Sequence, residues 1–430
     1  MGSIRIGKSG PLKGEIEAPG DKSITHRAIL FGGMARGKTV IKGYLPSEDC
    51  ICTLHAMEAM GVKSENKKDV LILLGEGIGG LTESGRILDM GNSGTSLRLL
   101  TGLLSGLPFF SVLDGDASLR NRPMGRVIEP LSRMGAEIRG RKGNRYAPIA
   151  VCGTSTLKGI EYRLPVASAQ VKSALLLAGL NADGWTRLEE PDHSRDHSER
   201  MLKSFGAEID FSEGRAAIRR SELKGMEIEV PGDFSSAAFF IAGATLVRGS
   251  QLMIRNVGIN PTRTGLLDVL GRMGGAVTIE NRRDCGGEPV GDLMVRSVDT
   301  LRGVTIAGRE IPSMIDELPI IFVLCAFASG KSEISGAGEL RVKESDRIGI
   351  MAREMRKLGV HVEERTDGLA IEGGSRLRGS SFSSEGDHRV AMSMAISALV
   401  AEGESYIEGT DCINTSFPGF EPLLRSVARD

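Results

Sequence analysis

The stretch GDKSITHR, Gly20 to Arg27, sets Lys22 and Ser23 at the entrance to an expected helix and Arg27 about one turn further in. At about 100° per residue Lys22 and Arg27 diverge by about 140°, yet both long side chains can reach a ligand at the helix end. GNSGTSLRL, Gly91 to Leu99, is small and hydroxylated, so a ligand can lie against bare backbone at Gly94. Arg122 stands in the loop DGDASLRNRPMG, just ahead of the next helix. PVASAQVK offers Ser168, Ala169 and Gln170 as neutral hydrogen-bond partners, with Lys172 behind them, and RDHSE adds Arg195. In the C-terminal half Asp316 and Glu317 begin the helix of IPSMIDELPI. RVKESDR follows, with Lys343 and Arg347 expected on one helical face and Glu344 beside them. GDHRVAM closes the series with Asp387, His388 and Arg389.

Arg forks and Lys ammonium groups at helix starts suit phosphates and carboxylates, because free N–H groups and the helix dipole add to their charge. Taken singly, each set reads as capping residues or solvated surface charge. Six sets with different charged members favour one shared anion site. A carboxylate such as Asp316 at a helix start is ordinarily a capping charge, but in a substrate cleft it can act as a general base. No GxxxxGK[ST] loop occurs, which counts against a nucleotide-driven kinase. His193 and His197 are four apart without a third ligand nearby, so neither a metal nor a cofactor is expected.

The elements that must position these residues repeat. A helix ending in Gly and passing into a strand occurs at Gly61, Gly135, Gly206, Gly274 and Gly359, about every 70 residues. There the Gly serves as a left-handed helix cap. Between these lie PLKGEIEAPGDKS, TLKGIEYRLPVASAQ, ELKGMEIEVPGDFSS, TLRGVTIAGREIPSMIDE and RLRGSSFSSEGDHRVAM, with a looser copy, GRILDMGNSGTSLRL. Each is a turn, a short strand, a polar bend and a helical pattern, and the bends carry N-cap residues. Six such units make two sets of three. The fourth bend, PGDFSS, reads as a hinge and structural cap.

Composition narrows the classes. The 430 residues allow two domains, and 54 Lys and Arg against 55 Asp and Glu give no pull toward nucleic acid or an anionic membrane. Aromatics at 4% are too few for base-stacking platforms. The 57 glycines are about twice ordinary usage, as expected of many tight turns. Six scattered cysteines without a CxxC pair read as reduced thiols of a cytoplasmic protein. MGSIRIGKSG lacks a signal peptide's apolar run, and the apolar run Leu318 to Ala328 is too short to span a bilayer and suits a buried helix.

Taken in order over Ile4 to about Phe420, GDKSITHR, GNSGTSLRL, NRPM, SAQVK, RVKESDR and GDHR resemble the enolpyruvylshikimate-phosphate synthase (3-phosphoshikimate 1-carboxyvinyltransferase) family. The resemblance implies an α/β fold of two inside-out barrel-like domains, each of three βαβαββ units. One domain would comprise residues 1–19 plus 233–430 and the other 20–232, with a hinge near 19–20 and 231–233 and the active site in the cleft between. It implies transfer of the enolpyruvyl group of phosphoenolpyruvate to the 5-hydroxyl of shikimate 3-phosphate, without cofactor, by a monomer. Lys22, Ser23, Arg27, Ser168, Ala169, Gln170, Arg195, Asp316 and Lys343 would bind shikimate 3-phosphate. Lys22, Gly94, Arg122, Gln170, Arg347 and Arg389 would surround phosphoenolpyruvate. Asp316 would be the base on the 5-hydroxyl, and Glu344, helped by Lys22, the proton donor to the methylene.

GDKS, SAQVK, RDHSE and NPTR (Asn260 to Arg263) match the family's class II pattern, associated with tolerance to glyphosate, and Thr415 stands where many class I members have Lys. Gly94, however, stands where the best-known tolerant members carry Ala. The sister enzymes that act on UDP-N-acetylglucosamine carry Lys-Asn in place of Lys22-Ser23 and a reactive Cys before the Arg-Pro pair, whereas Ser111 to Arg122 contains none. A non-catalytic anion-binding descendant would lack Asp316, Glu344 or Lys22, and all three are present.

Overall fold

The computed structural model describes residues 2–374 and 376–428. The chain forms two compact units: a terminal unit of 1–19, 231–283 and 289–430, and a middle unit of 20–230 and 284–288. Each has its own apolar core.

The repeats of the sequence become sheets. Among the described residues there are six, three per unit, five of them four-stranded and one three-stranded. In every sheet the strand after the Leu-x-Gly turn, or its counterpart at Leu88–Asp89, pairs parallel with the next strand in the sheet, which then pairs antiparallel with a third. The chain exchanges one strand between units. Lys13–Glu17 precedes the helix Lys22–Met34 in sequence, yet it pairs with Gln251–Gly258 of the terminal unit. Glu227–Glu229 supplies the corresponding strand beside Arg36–Lys42 of the middle unit. The three-stranded sheet takes its third strand, Ser3–Gly7, from the N-terminus.

The turn residues explain why each unit closes. The leucines of the turns, Leu12, Leu157, Leu223, Leu301 and Leu377, are buried. At four of the five turns, Gly159, Gly225, Gly303 and Gly379, the Gly two positions later touches the neighbouring backbone: a Cβ on Gly303 would stand 2.2 Å from the Lys331 carbonyl oxygen. The helix-ending glycines 61, 135, 206, 274 and 359 have φ of 94°, 101°, 90°, 90° and 93°, the left-handed region expected of them.

Two kinds of helix result. Those after the polar bends lie largely inside, and Phe234–Leu246 and Leu318–Ala326 are apolar nearly all round, all nine residues of the latter being buried. Those ending in the left-handed Gly keep a polar face, as in Gly125–Arg133 and Gly265–Met273. Five buried helices have side-chain N-caps: Asp21, Ser93, Ser168, Asp233 and Asp387. The fifth repeat departs from this. A 3₁₀ segment, Gly308–Ser313, intervenes, and the helix Leu318–Ala326 begins behind Glu317 without a side-chain cap.

One local expectation is corrected. Lys343 and Arg347 do not share a helical face. Lys343 ends the 3₁₀ segment Gly338–Val342 with φ −79° and ψ −144°, and the α-helix starts only at Arg347, capped by Asp346. The competing cap at Asp346 breaks the i, i+4 relation. A further feature was invisible in the sequence: 284–288, the tip of the hairpin Ala276–Cys285/Glu288–Arg296, belongs with the middle unit. Ser204 Oγ donates to the Gly286 carbonyl and Arg200 Nη1 to that of Gly287, both at 3.0 Å.

Candidate active site

In the middle unit three buried helices, Lys22–Met34, Gly94–Ser105 and Ala169–Gly179, present their first turns as polar clusters. Asp21 caps the first, accepting from the Ile24 N–H at 2.9 Å. Lys22 forms an ion pair with Asp49. Arg27 is 3% exposed and fully engaged. It donates to the Ser23 carbonyl at 2.9 Å, to Ser198 Oγ at 2.7 Å and to Ser173 Oγ at 2.8 Å. Burial pulls its pKa down to about 10, with the nearby Arg195 adding to the fall and Glu199 and Asp21 opposing it. It therefore stays cationic at neutral pH.

The second and third helix starts meet at Gln170. Its side chain accepts from Arg98 Nη1 at 2.7 Å and donates to Thr95 Oγ1 at 2.9 Å. A Cβ on Gly94 would lie 2.8 Å from Arg98 Nη1 and 3.1 Å from Arg122 Nη1, so the bare backbone lets two guanidinium groups approach. Arg122 also donates to Asn92. Ser168 caps the third helix, and its own N–H donates to Glu190 at 3.1 Å. Ala169 offers its carbonyl to Ser173 Oγ at 2.6 Å, which joins this helix start to Arg27. Lys172 lies buried between Glu190 and Glu199, 2.7 Å from each, and thus underpins the cluster without facing a ligand. His197 pairs with Glu288 at 2.7 Å.

In the terminal unit Arg347 is fully buried and collects three carboxylates: Asp387 at 2.8 Å, Glu344 at 2.5 Å and Asp316 at 3.5 Å. These acids raise its pKa against the pull of burial. Burial would raise the pKa of Asp387, but the Arg347 guanidinium outweighs it and the carboxyl is held below its usual value. Arg389 lies 3.6 Å from the Asp316 carboxylate and donates to the Asp316 carbonyl at 3.1 Å. Asp316, Glu344, Arg347 and Arg389 thus form one cluster, while Lys343 is placed on the adjoining 3₁₀ end. Thr415 Oγ1 donates to the Cys412 carbonyl at 2.7 Å.

Sequence reasoning did not single out Asp49, Ser173, Ser198 and Arg98, nor the buried acids Glu190 and Glu199. Their partners are up to 171 positions away, as Ser198 is from Arg27, and no motif joins them.

Three-stranded and four-stranded sheets repeated three to a unit, with arginines and acids at the helix starts, define a protein of the enolpyruvyl transferase fold. The enolpyruvyl transferase NikO from Streptomyces tendae shares that fold at a TM-score of 0.79 and 17% identity, over 99% of this chain and 97% of that one. EPSP synthase from Acinetobacter baumannii matches at a TM-score of 0.89 and 43% identity over 99% and 98%. An enzyme of Geobacter metallireducens named 3-phosphoshikimate 1-carboxyvinyltransferase is 52% identical over 429 residues, 100% of each chain. One of Geotalea uraniireducens with the same name is 53% identical over 427 residues, 99% of each. The model of the family EPSP synthase (3-phosphoshikimate 1-carboxyvinyltransferase) matches residues 6–424, and the chain belongs to that family.

Proposed function

We infer that this protein transfers the enolpyruvyl group of phosphoenolpyruvate to the 5-hydroxyl of shikimate 3-phosphate and releases phosphate. The observation that carries the reading is the family match from 6 to 424 together with every cation and acid the reaction needs, Lys22, Arg122, Asp316, Glu344, Arg347 and Arg389. The sister enzymes' Lys-Asn pair and reactive loop Cys are absent from 22–23 and 111–122.

The two substrates carry two phosphates and two carboxylates, about five to six negative charges. Arg27, Ser168, Ala169, Gln170, Arg195, Ser23, Lys22 and Lys343 hold shikimate 3-phosphate. Arg122, Gln170, Arg347, Arg389 and the bare backbone of Gly94 hold phosphoenolpyruvate, with Lys22 between the two substrates. Arg347 and Arg389 exchange carboxylate partners for substrate anions, and this frees Asp316 and Glu344 for proton transfer. Asp316 takes the proton of the 5-hydroxyl as its oxygen attacks C2 of phosphoenolpyruvate. Glu344, with Lys22, delivers a proton to the methylene carbon. The tetrahedral adduct then loses a methyl proton and phosphate, which restores the double bond.

Chain crossings near 19–20 and 231–233 serve as the hinge by which substrate draws the two sets of residues onto one reaction. The protein works as a cytoplasmic monomer, a reading supported by the family resemblance for the monomer and by the six scattered cysteines without a CxxC pair for the compartment. A phosphate-release assay tests the assignment. Release with phosphoenolpyruvate and shikimate 3-phosphate supports it, and no release with that pair refutes it.

A further inference from the structure

The proton transfers described above leave unused a buried polar chain in the terminal unit. Glu317 follows Asp316 directly, is 1% exposed and makes no cap hydrogen bond to its helix. It accepts from Ser235 Oγ. Ser235 Oγ in turn accepts from Arg263 Nη2 at 2.6 Å, and Arg263 pairs with Asp233 at 3.2 Å. Asp233 caps the helix Phe234–Leu246, and its backbone N–H donates to the Pro19 carbonyl at 2.7 Å. Hydrogen bonds therefore run without a gap from Pro19 and Asp233, beside two of the places where the chain changes units, to the residue next to Asp316.

Burying two carboxylates and a guanidinium is costly, and apolar residues of the same volume often give equal or greater stability. Such a set earns its place by fixing geometry. The Glu317 carboxylate is held by Ser235 inside the unit, whereas the Asp316 side chain is 15% exposed and faces Arg347 and Arg389. Asp316 lies in a turn between the 3₁₀ segment Gly308–Ser313 and the helix Leu318–Ala326. Anchoring the side chain of Glu317 fixes the peptide plane between 316 and 317, and with it the direction of the Asp316 carboxylate. A misplacement of about 1 Å costs about a hundredfold in rate.

We propose that Ser235, Arg263 and Glu317 are positioning residues for Asp316, forming a rigid link from the chain crossings to the reacting carboxylate. The proposal rests on the functional reading given above. Its test uses the full chain as wild type, Ser235→Ala, Glu317→Gln, Arg263→Met, Arg263→Lys and the double variant Arg263→Met/Glu317→Gln. Turnover is expressed per shikimate 3-phosphate site counted by calorimetry, which removes the effect of misfolded protein.

Expected are a fall in kcat of about 10- to 100-fold in Ser235→Ala and Glu317→Gln with KM for both substrates within about threefold, partial recovery in Arg263→Lys relative to Arg263→Met, and a double variant no slower than the worse single one. Ser235→Ala removes one oxygen and keeps every charge, so it decides the matter if the charge variants do not fold. An unchanged kcat per site in Ser235→Ala, with an active wild type, overturns the proposal alone. A wild type that releases no phosphate overturns the functional reading, and this proposal with it.

Discussion

At the scale of single residues, the terminal unit keeps its acids and its arginines in mutual check. Asp316 lies 3.5 Å from Arg347 and 3.6 Å from Arg389. If Asp316 takes the hydroxyl proton, Asp316→Asn keeps the shape and removes the base. Steady-state assays should then show kcat lower by about 10²- to 10⁴-fold, with shikimate 3-phosphate still bound in calorimetry. A kcat within a few-fold of wild type would reassign the base. Gly94 carries the second prediction. An added Cβ would stand 2.8 Å from Arg98 Nη1 and 3.1 Å from Arg122 Nη1, and both guanidinium ends must yield. Gly94→Ala should raise KM for phosphoenolpyruvate several-fold and weaken glyphosate inhibition by a larger factor. Unmodified Gly94 leaves room for the inhibitor, so competition with phosphoenolpyruvate at micromolar glyphosate would end the class II tolerance reading.

At the scale of elements, three helices are tied through one buried polar relay. His26 Nδ1 lies 2.7 Å from Thr53 Oγ1, Thr53 lies 2.6 Å from Ser96 Oγ, and Ser96 donates to Ser93 at 2.7 Å. Burial, with Lys22 and Arg27 adding to it, holds the His26 pKa well below 6.5. The unfolded chain therefore binds a proton that the folded one refuses. Stability from this source is intact above pH 6.5 and falls as pH drops below it, by up to about 1.4 kcal/mol per pH unit. Urea unfolding at pH 7 and pH 5 should show a smaller acid loss in His26→Gln than in wild type, and equal losses would exclude the relay as the cause. Two glycines give a contrast of sign. Gly303→Ala forces a Cβ to 2.2 Å from a backbone oxygen and should cost about 1–3 kcal/mol. Gly271→Ala, inside the helix Gly265–Met273 with nothing within 4 Å, should gain about 0.5–1 kcal/mol. Thermal melts of the pair check both.

At the scale of the whole molecule, the chain changes units after Pro19 and before Pro231, and again at both ends of the hairpin tip 284–288, and the terminal unit takes the strand Lys13–Glu17 from before the first change. If the anionic groups of the substrates take partners from both units, as the proposed mechanism requires, binding favours closure. Small-angle scattering should show a smaller radius of gyration with shikimate 3-phosphate and a phosphoenolpyruvate analogue than with either buffer or inorganic phosphate. An unchanged radius would remove closure from the mechanism and leave the chemistry to a preformed site.

Much of this was legible in one sequence, because the repeat writes the same physics several times. Left-handed Gly caps, buried Leu-x-Gly turns and Asp or Ser helix caps are local signals, and short-range sterics and hydrogen bonding determine them wherever they occur. The family motifs, and with them the choice of Lys22, Arg122, Asp316 and Arg389, are likewise strings of neighbours. Tertiary structure decided what neighbours cannot. Arg27 finds Ser173 and Ser198, the hairpin tip 284–288 joins the middle unit, and Lys343 leaves the helical face that its spacing from Arg347 suggested. Above all, Glu317 at the helix start makes no cap hydrogen bond and is instead bonded to Ser235 from 82 positions away. Local sequence sets which groups can act. Burial and long-range hydrogen bonds, which depend on every distant segment at once, set where those groups point.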